Sequence, residues 1–125
     1  MPSGLIHGVQ DNRFPLPSPF GRVFVSAEAI AQIVGRTAAR CYGVVGLAPK
    51  TKVARLLGRD IAGAVRVSSV DEGVKIDLHV TVEYGLNLAE VGSTVRSQVA
   101  YEVERLTGLR VAAVEVHIQN VRRSA

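Results

Sequence analysis

The 125-residue sequence has no tryptophan, a single cysteine and a single methionine. With Cys41 alone, neither an internal disulfide framework nor a Cys-rich zinc site can form. Lysine is confined to Lys50, Lys52 and Lys75, so arginine supplies most of the positive charge. Histidine is confined to His7, His79 and His117. No uncharged run reaches the roughly 18 residues that a membrane-spanning helix needs, so no transmembrane segment is expected. No basic start followed by an apolar run marks a secretion signal, and the expected location is the cytoplasm. A Walker loop, GxGxxG and GxSxG are missing too. Gly43, Gly46, Gly58 and Gly63 are too dispersed to cradle a phosphate. These absences argue against a conventional enzyme, and no cofactor is expected.

What is present describes a globular chain. Apolar residues make up 47% and charged residues 21%, with a mean hydropathy of +0.21. That is enough to bury one core, and the length fits one domain. The net charge is +4. Its excess gathers in two places: Lys50, Lys52, Arg55 and Arg59, and the tail that ends in Arg122 and Arg123. The rest of the chain is nearly balanced.

Residues 1–20 read as a flexible, proline-rich arm, because Pro2, Pro15, Pro17 and Pro19 break any helix. The FPLPSPF stretch also suits docking to a partner as polyproline. Val23 and Val25 then mark a short first strand. Ser26 caps a helix whose apolar stripe is Ile30, Ile33, Val34, Thr37, Ala38 and Cys41, with Gly43 as its C-terminal stop. Residues 43–64 read as an irregular excursion with a short amphipathic helix around Val53, Leu56 and Leu57.

The strongest strand signal follows. Val65 and Val67 alternate with polar residues, and Asp71-Glu72-Gly73 makes a turn. Val74, Ile76, Leu78, Val80 and Val82 then alternate with Lys75, Asp77, His79, Thr81 and Glu83. Asn87 and Glu90 open a second helix with Leu88, Val91, Val95, Val99, Val103 and Leu106 on its apolar stripe, and Gly108 closes it. Residues 111–121 form the last strand, with Ala112, Val114, Val116 and Ile118 on one face.

The order β-α-β-β-α-β predicts an α+β two-layer sandwich. It has an antiparallel-type sheet of about four strands with two helices on one face, as in the ferredoxin-like split βαβ. Residues 21–123 form the domain. The uncovered sheet face is expected to be solvated or packed against another copy.

Chemistry-bearing candidates are few. His79 and His117 lie on polar strand faces near Asp77, Glu83 and Glu115. A His/carboxylate metal site needs their strands to be neighbours. In a ferredoxin-like order the first strand separates them, so no metal site is expected. Cys41 falls on an apolar helix stripe and reads as a core thiol. Asp71-Glu72 and Glu102/Glu104 do not form a recessed acid–base pair. The remaining candidate is an interaction surface of Lys50, Lys52, Arg55, Arg59, Arg122 and Arg123, suited to an acidic partner, anionic headgroups or phosphates. No aromatic residues cluster near it for base stacking, which argues against nucleic acid. A nucleic-acid-binding regulator using residues 50–59 remains the alternative.

Four segments in this order and spacing resemble the alkaline shock protein family, also called the Gls envelope stress response family. They are GRVFVSAEAIAQIVGRTAARCYGVVGL, VKIDLHVTVEYGLNLAEV, the helix from Val91 to Leu106, and TGLRVAAVEVHIQNV. The resemblance runs from Gly21 to Arg122 and omits the proline-rich arm and the Lys50–Arg59 segment. It implies a non-enzymatic bacterial protein of cell-envelope homeostasis and stress. Such a protein acts as a cytoplasmic scaffold or adaptor that self-associates and collects at the inner face of the membrane through a membrane-anchored partner. It carries no catalytic residues over to this chain.

Overall fold

A computed structural model describes residues 13–48 and 63–123. The strands are β1 (Arg13–Leu16), β2 (Val23–Ser26), β3 (Val44–Leu47), β4 (Val65–Val70), β5 (Gly73–Glu83) and β6 (Val111–Arg122). The helices are α1 (Ala27–Ala39), between β2 and β3, and α2 (Leu88–Thr107), between β5 and β6. The expected order β-α-β-β-α-β is present as β2-α1-β4-β5-α2-β6, with β1 and β3 added, and the fold is an α+β sandwich.

Strand β5 organises the main sheet. Its residues Val74, Ile76, Leu78, Val80 and Val82 are all at most 2% exposed. They are β-branched or leucine at every second position, the pattern that fills one pleated face. Strand β4 pairs antiparallel with the first half of β5, from Val70↔Gly73 to Val65↔Leu78. Strand β3 pairs antiparallel with its last part, Val44↔Val82 to Leu47↔Val80. Strand β6 runs parallel to β5 along its other edge, from Val74↔Val111 to Glu83↔Arg122. The sheet is therefore mixed, with one parallel pairing among the expected antiparallel ones.

Both helices cover the same face. Helix α1 contributes Ile30, Ala31, Val34 and Ala38, and α2 contributes Val91, Val95, Val99 and Val103, to one core with the inward face of β5. Ser26 Oγ accepts the Ala29 N–H at 3.0 Å, and Glu28 lies in the first turn of α1, where the helix dipole favours an acid. Asn87 Oδ1 accepts the Glu90 N–H at 3.0 Å to start α2. Gly108, left-handed at φ 77°, ends it and donates to the Glu104 carbonyl.

Several expectations need correction. Gly43 does not stop α1. The helix ends on Arg40 in right-handed geometry, and Gly43 (φ 91°) turns the chain into β3. Leu88 and Leu106 do not join the α2 stripe; they are 40% and 53% exposed. Val23–Ser26 is not in the main sheet but pairs with β1 in a separate two-stranded sheet. Arg13–Leu16, within the segment expected to lack regular structure, is thus a strand. Pro15 is tolerated because this two-stranded ribbon leaves one side of each strand unpaired. Phe14, 8% exposed, anchors β1 to the core. Residues 44–47, expected to be irregular, form β3. The short helix expected around Val53 lies outside the described residues.

Candidate functional site

The parallel pairing of β5 and β6 builds the site. Side chains on one face of a strand recur every second residue, so register partners on adjacent strands stand side by side. Asp77 is opposite Glu115, and His79 is opposite His117. Two carboxylates and two imidazoles therefore occupy neighbouring rungs on the face turned away from the helices. This corrects the expectation that a further strand separates the two histidines. The ferredoxin-like order fails here because β2 pairs with β1 and leaves β5 and β6 adjacent.

The rings of His79 and His117 stack with centroids 4.5 Å apart and planes 14° apart. His117 Nε2 lies 3.3 Å from Asp77 Oδ1 and 3.9 Å from Glu115 Oε1. The other Glu115 oxygen, Oε2, lies 3.6 Å from Lys75 Nζ. Burial pushes the Asp77 carboxyl up. The hydrogen bonds with His117 and Glu115 and the charges of Lys75 and His117 outweigh it, and the carboxyl lies below its ordinary value. Arg66 of β4 is the register partner of Asp77 on its other side. Beside the histidines is a recess of about 440 Å³, lined among the described residues by Gly63, Ala64, Val65, Arg66, Asp77, His79 and His117. Among the described residues, Asp77, Glu115 and His117 are the His/carboxylate group whose potential donor atoms all lie within 4.8 Å of one another.

The expected basic surface is placed only in part. Arg122 and Arg123 are at the end of β6. Arg122 Nη2 approaches the Val45 carbonyl at 3.5 Å, and its backbone pairs with Glu83. The Arg123 guanidinium lies 4.8 Å from the centre of the Tyr84 ring, a cation–π contact. Both therefore hold the sheet end together while staying exposed. Lys50, Lys52, Arg55 and Arg59 lie outside the described residues. Cys41 is half-buried and packs against the core, and its Sγ–H points to the Thr37 carbonyl at 3.5 Å. Burial raises the thiol pKa and the Arg40 charge only partly opposes it, so Cys41 is a poor nucleophile.

Sequence reasoning identified His79, His117, Asp77 and Glu115 one by one but did not bring them together. The signal was an equal spacing: Asp-x-His occurs in both strands, at Asp77–His79 and, with Glu, at Glu115–His117. Two matching i, i+2 pairs form a quartet only when the strands are adjacent and in register.

No helix among the described residues is long and apolar enough to cross a membrane. Two solved structures of MamM CTD variants share the fold. One has a TM-score of 0.52 at 16% identity, covering 78% of this chain and 83% of that one. The other has a TM-score of 0.55 at 15% identity, covering 78% and 96%. The uncharacterized protein YloU of Bacillus subtilis is 33% identical over 112 residues, 86% of this chain and 93% of that protein. An uncharacterized protein of Streptococcus pyogenes serotype M6 is 31% identical over 107 residues, 82% of this chain and 88% of that protein. A family model described as having a cell envelope-related function matches residues 16–123. With four sequence segments, an α+β sandwich and a match over nearly the whole described chain, this protein belongs to the alkaline shock protein family.

Proposed function

We propose that the protein is a non-enzymatic scaffold or adaptor of cell-envelope homeostasis that binds a membrane-anchored partner and other copies of itself. The observation that carries this reading is the two-faced sheet. One face is packed on α1 and α2, and the other presents Lys75, Asp77, Glu115 and His117, partly exposed, on the side away from both described helices. The exposed parts of Lys75, Glu115 and His117 on this face are available for contacts. The cell envelope-related description of the family supports the setting. In this reading the protein resides in the cytoplasm, at the inner face of the membrane when its partner recruits it. Arg122, Arg123 and the Lys50–Arg59 segment give it local positive charge for an acidic surface.

Crosslinking followed by pull-down from the native host tests the proposal. Recovery of a membrane-anchored protein together with crosslinked copies of this chain is expected. Recovery of nucleic acid alone, with the protein absent from the membrane fraction, overturns it. Light scattering tests self-association separately: a strict monomer at high concentration removes that part of the reading.

A further inference from the structure

We infer that Asp77, Glu115 and His117 form a binding site for a divalent transition-metal ion on the face of the β5–β6 ladder turned away from the helices. This goes beyond the scaffold reading and does not depend on it.

Geometry carries the inference. A tetrahedral ion bound at about 2.0–2.1 Å by nitrogen and oxygen donors holds neighbouring donors about 3.3 Å apart. His117 Nε2 is 3.3 Å from Asp77 Oδ1 and 3.9 Å from Glu115 Oε1. All three donor atoms lie within 4.8 Å of one another. Small side-chain rotations therefore close the triangle. The donor atoms are on the same face of two strands locked in register, Asp77↔Glu115 and His79↔His117. Rigid strands hold such a set more closely than a loop would.

The remaining neighbours have defined parts. The stacked His79 ring fixes the plane of the His117 ring and keeps its Nε2 turned toward the carboxylates. Lys75 engages Glu115 Oε2, which leaves Oε1 on the side of His117. The side chains of Glu115 and His117 are 52% and 44% exposed, so water completes the coordination shell. One imidazole and two carboxylates, without a thiolate, suit zinc or another borderline divalent ion. The charges of Lys75 and Arg66 nearby weaken binding relative to a closed structural site.

The test uses the full chain and zinc. After metal-free purification, calorimetric titration is expected to show about one zinc per chain. The variants Asp77→Asn and His117→Gln are each expected to weaken binding by more than about tenfold, the loss that disturbing even an outer-shell partner of a metal ligand brings. Glu72→Gln, an exposed turn carboxylate, is expected to leave binding unchanged. Circular dichroism checks that each variant is folded. Should one fail to fold, NMR titration of the unaltered protein decides: the His117 side-chain nitrogens must shift with zinc. The inference is overturned if zinc does not bind, if it binds equally well to Asp77→Asn and His117→Gln, or if the shifts centre away from His117.

Discussion

The backbone carbonyl of Arg110 occupies the space where Gly73 would carry a Cβ. That carbonyl accepts the Val74 N–H at 2.9 Å, and Gly73 has φ 140°, a conformation that side-chain-bearing residues rarely take. The contact joins the first residue of β5 to the chain entering β6, so this glycine lets the two parallel strands start close together.

Gly73→Ala is therefore expected to cost about 2 kcal/mol or more, from backbone strain and displacement of the Arg110 carbonyl. Urea denaturation measures it. A change within about 0.5 kcal/mol, typical of a neutral surface site, would show that the close approach is relaxed at no cost.

Ile30 and Leu106 both fall on apolar helix stripes in the sequence, yet Ile30 is fully buried and Leu106 is 53% exposed. Ile30→Ala is expected to destabilise by about 2–5 kcal/mol, and Leu106→Ala by less than about 1 kcal/mol. Equal losses in chemical denaturation would mean that Leu106 is covered in solution.

The Asp77 carboxyl sits below its ordinary value of 3.8 in the folded protein. A depressed carboxyl stabilises the fold fully above its unfolded-state value. That stability is lost as the pH falls through the lower folded value. Asp77→Asn should thus flatten the fall in stability below about pH 4, the unfolded aspartate range. Identical acid profiles for the variant and the unaltered protein would contradict the assignment.

Cys41 should react slowly with a disulfide reagent at neutral pH, because burial raises its pKa and shields the sulfur. Unfolding in urea should accelerate the reaction to that of a free thiol. Rapid labelling of the folded protein would show that the α1–β3 corner opens readily.

Local patterns in the sequence were sufficient for the long elements. Five alternating apolar residues in β5 and the valine stripe of α2 determine their own inward faces, whatever the neighbours are. Strand β3 was hidden because Val44, Val45, Gly46 and Leu47 show no alternation, and its register shifts between Val44 and Gly46. Strand β1 was hidden by Pro15, which weighs against a strand unless a sheet edge accommodates it. The site was illegible for a different reason. His79 and His117 become neighbours only through a parallel pairing across α2, and no local pattern encodes which non-adjacent strands meet.

The pairing of β5 on both edges has a consequence for the order of assembly. Strands β3 and β4 share one edge of β5 and β6 takes the other, so the main sheet gains no ladder until β5 is in place. The β4–β5 hairpin closes over a turn of two residues, Asp71 and Glu72, and is the natural nucleus. The β6 ladder must wait for α2 to form and cross the sheet. Amide hydrogens that join β5 to β4 should accordingly exchange with solvent last, and those that join β5 to β6 or β1 to β2 earlier. The His117 side of the metal-binding triangle would then be assembled at the end of folding, on a strand that opens before its partner does.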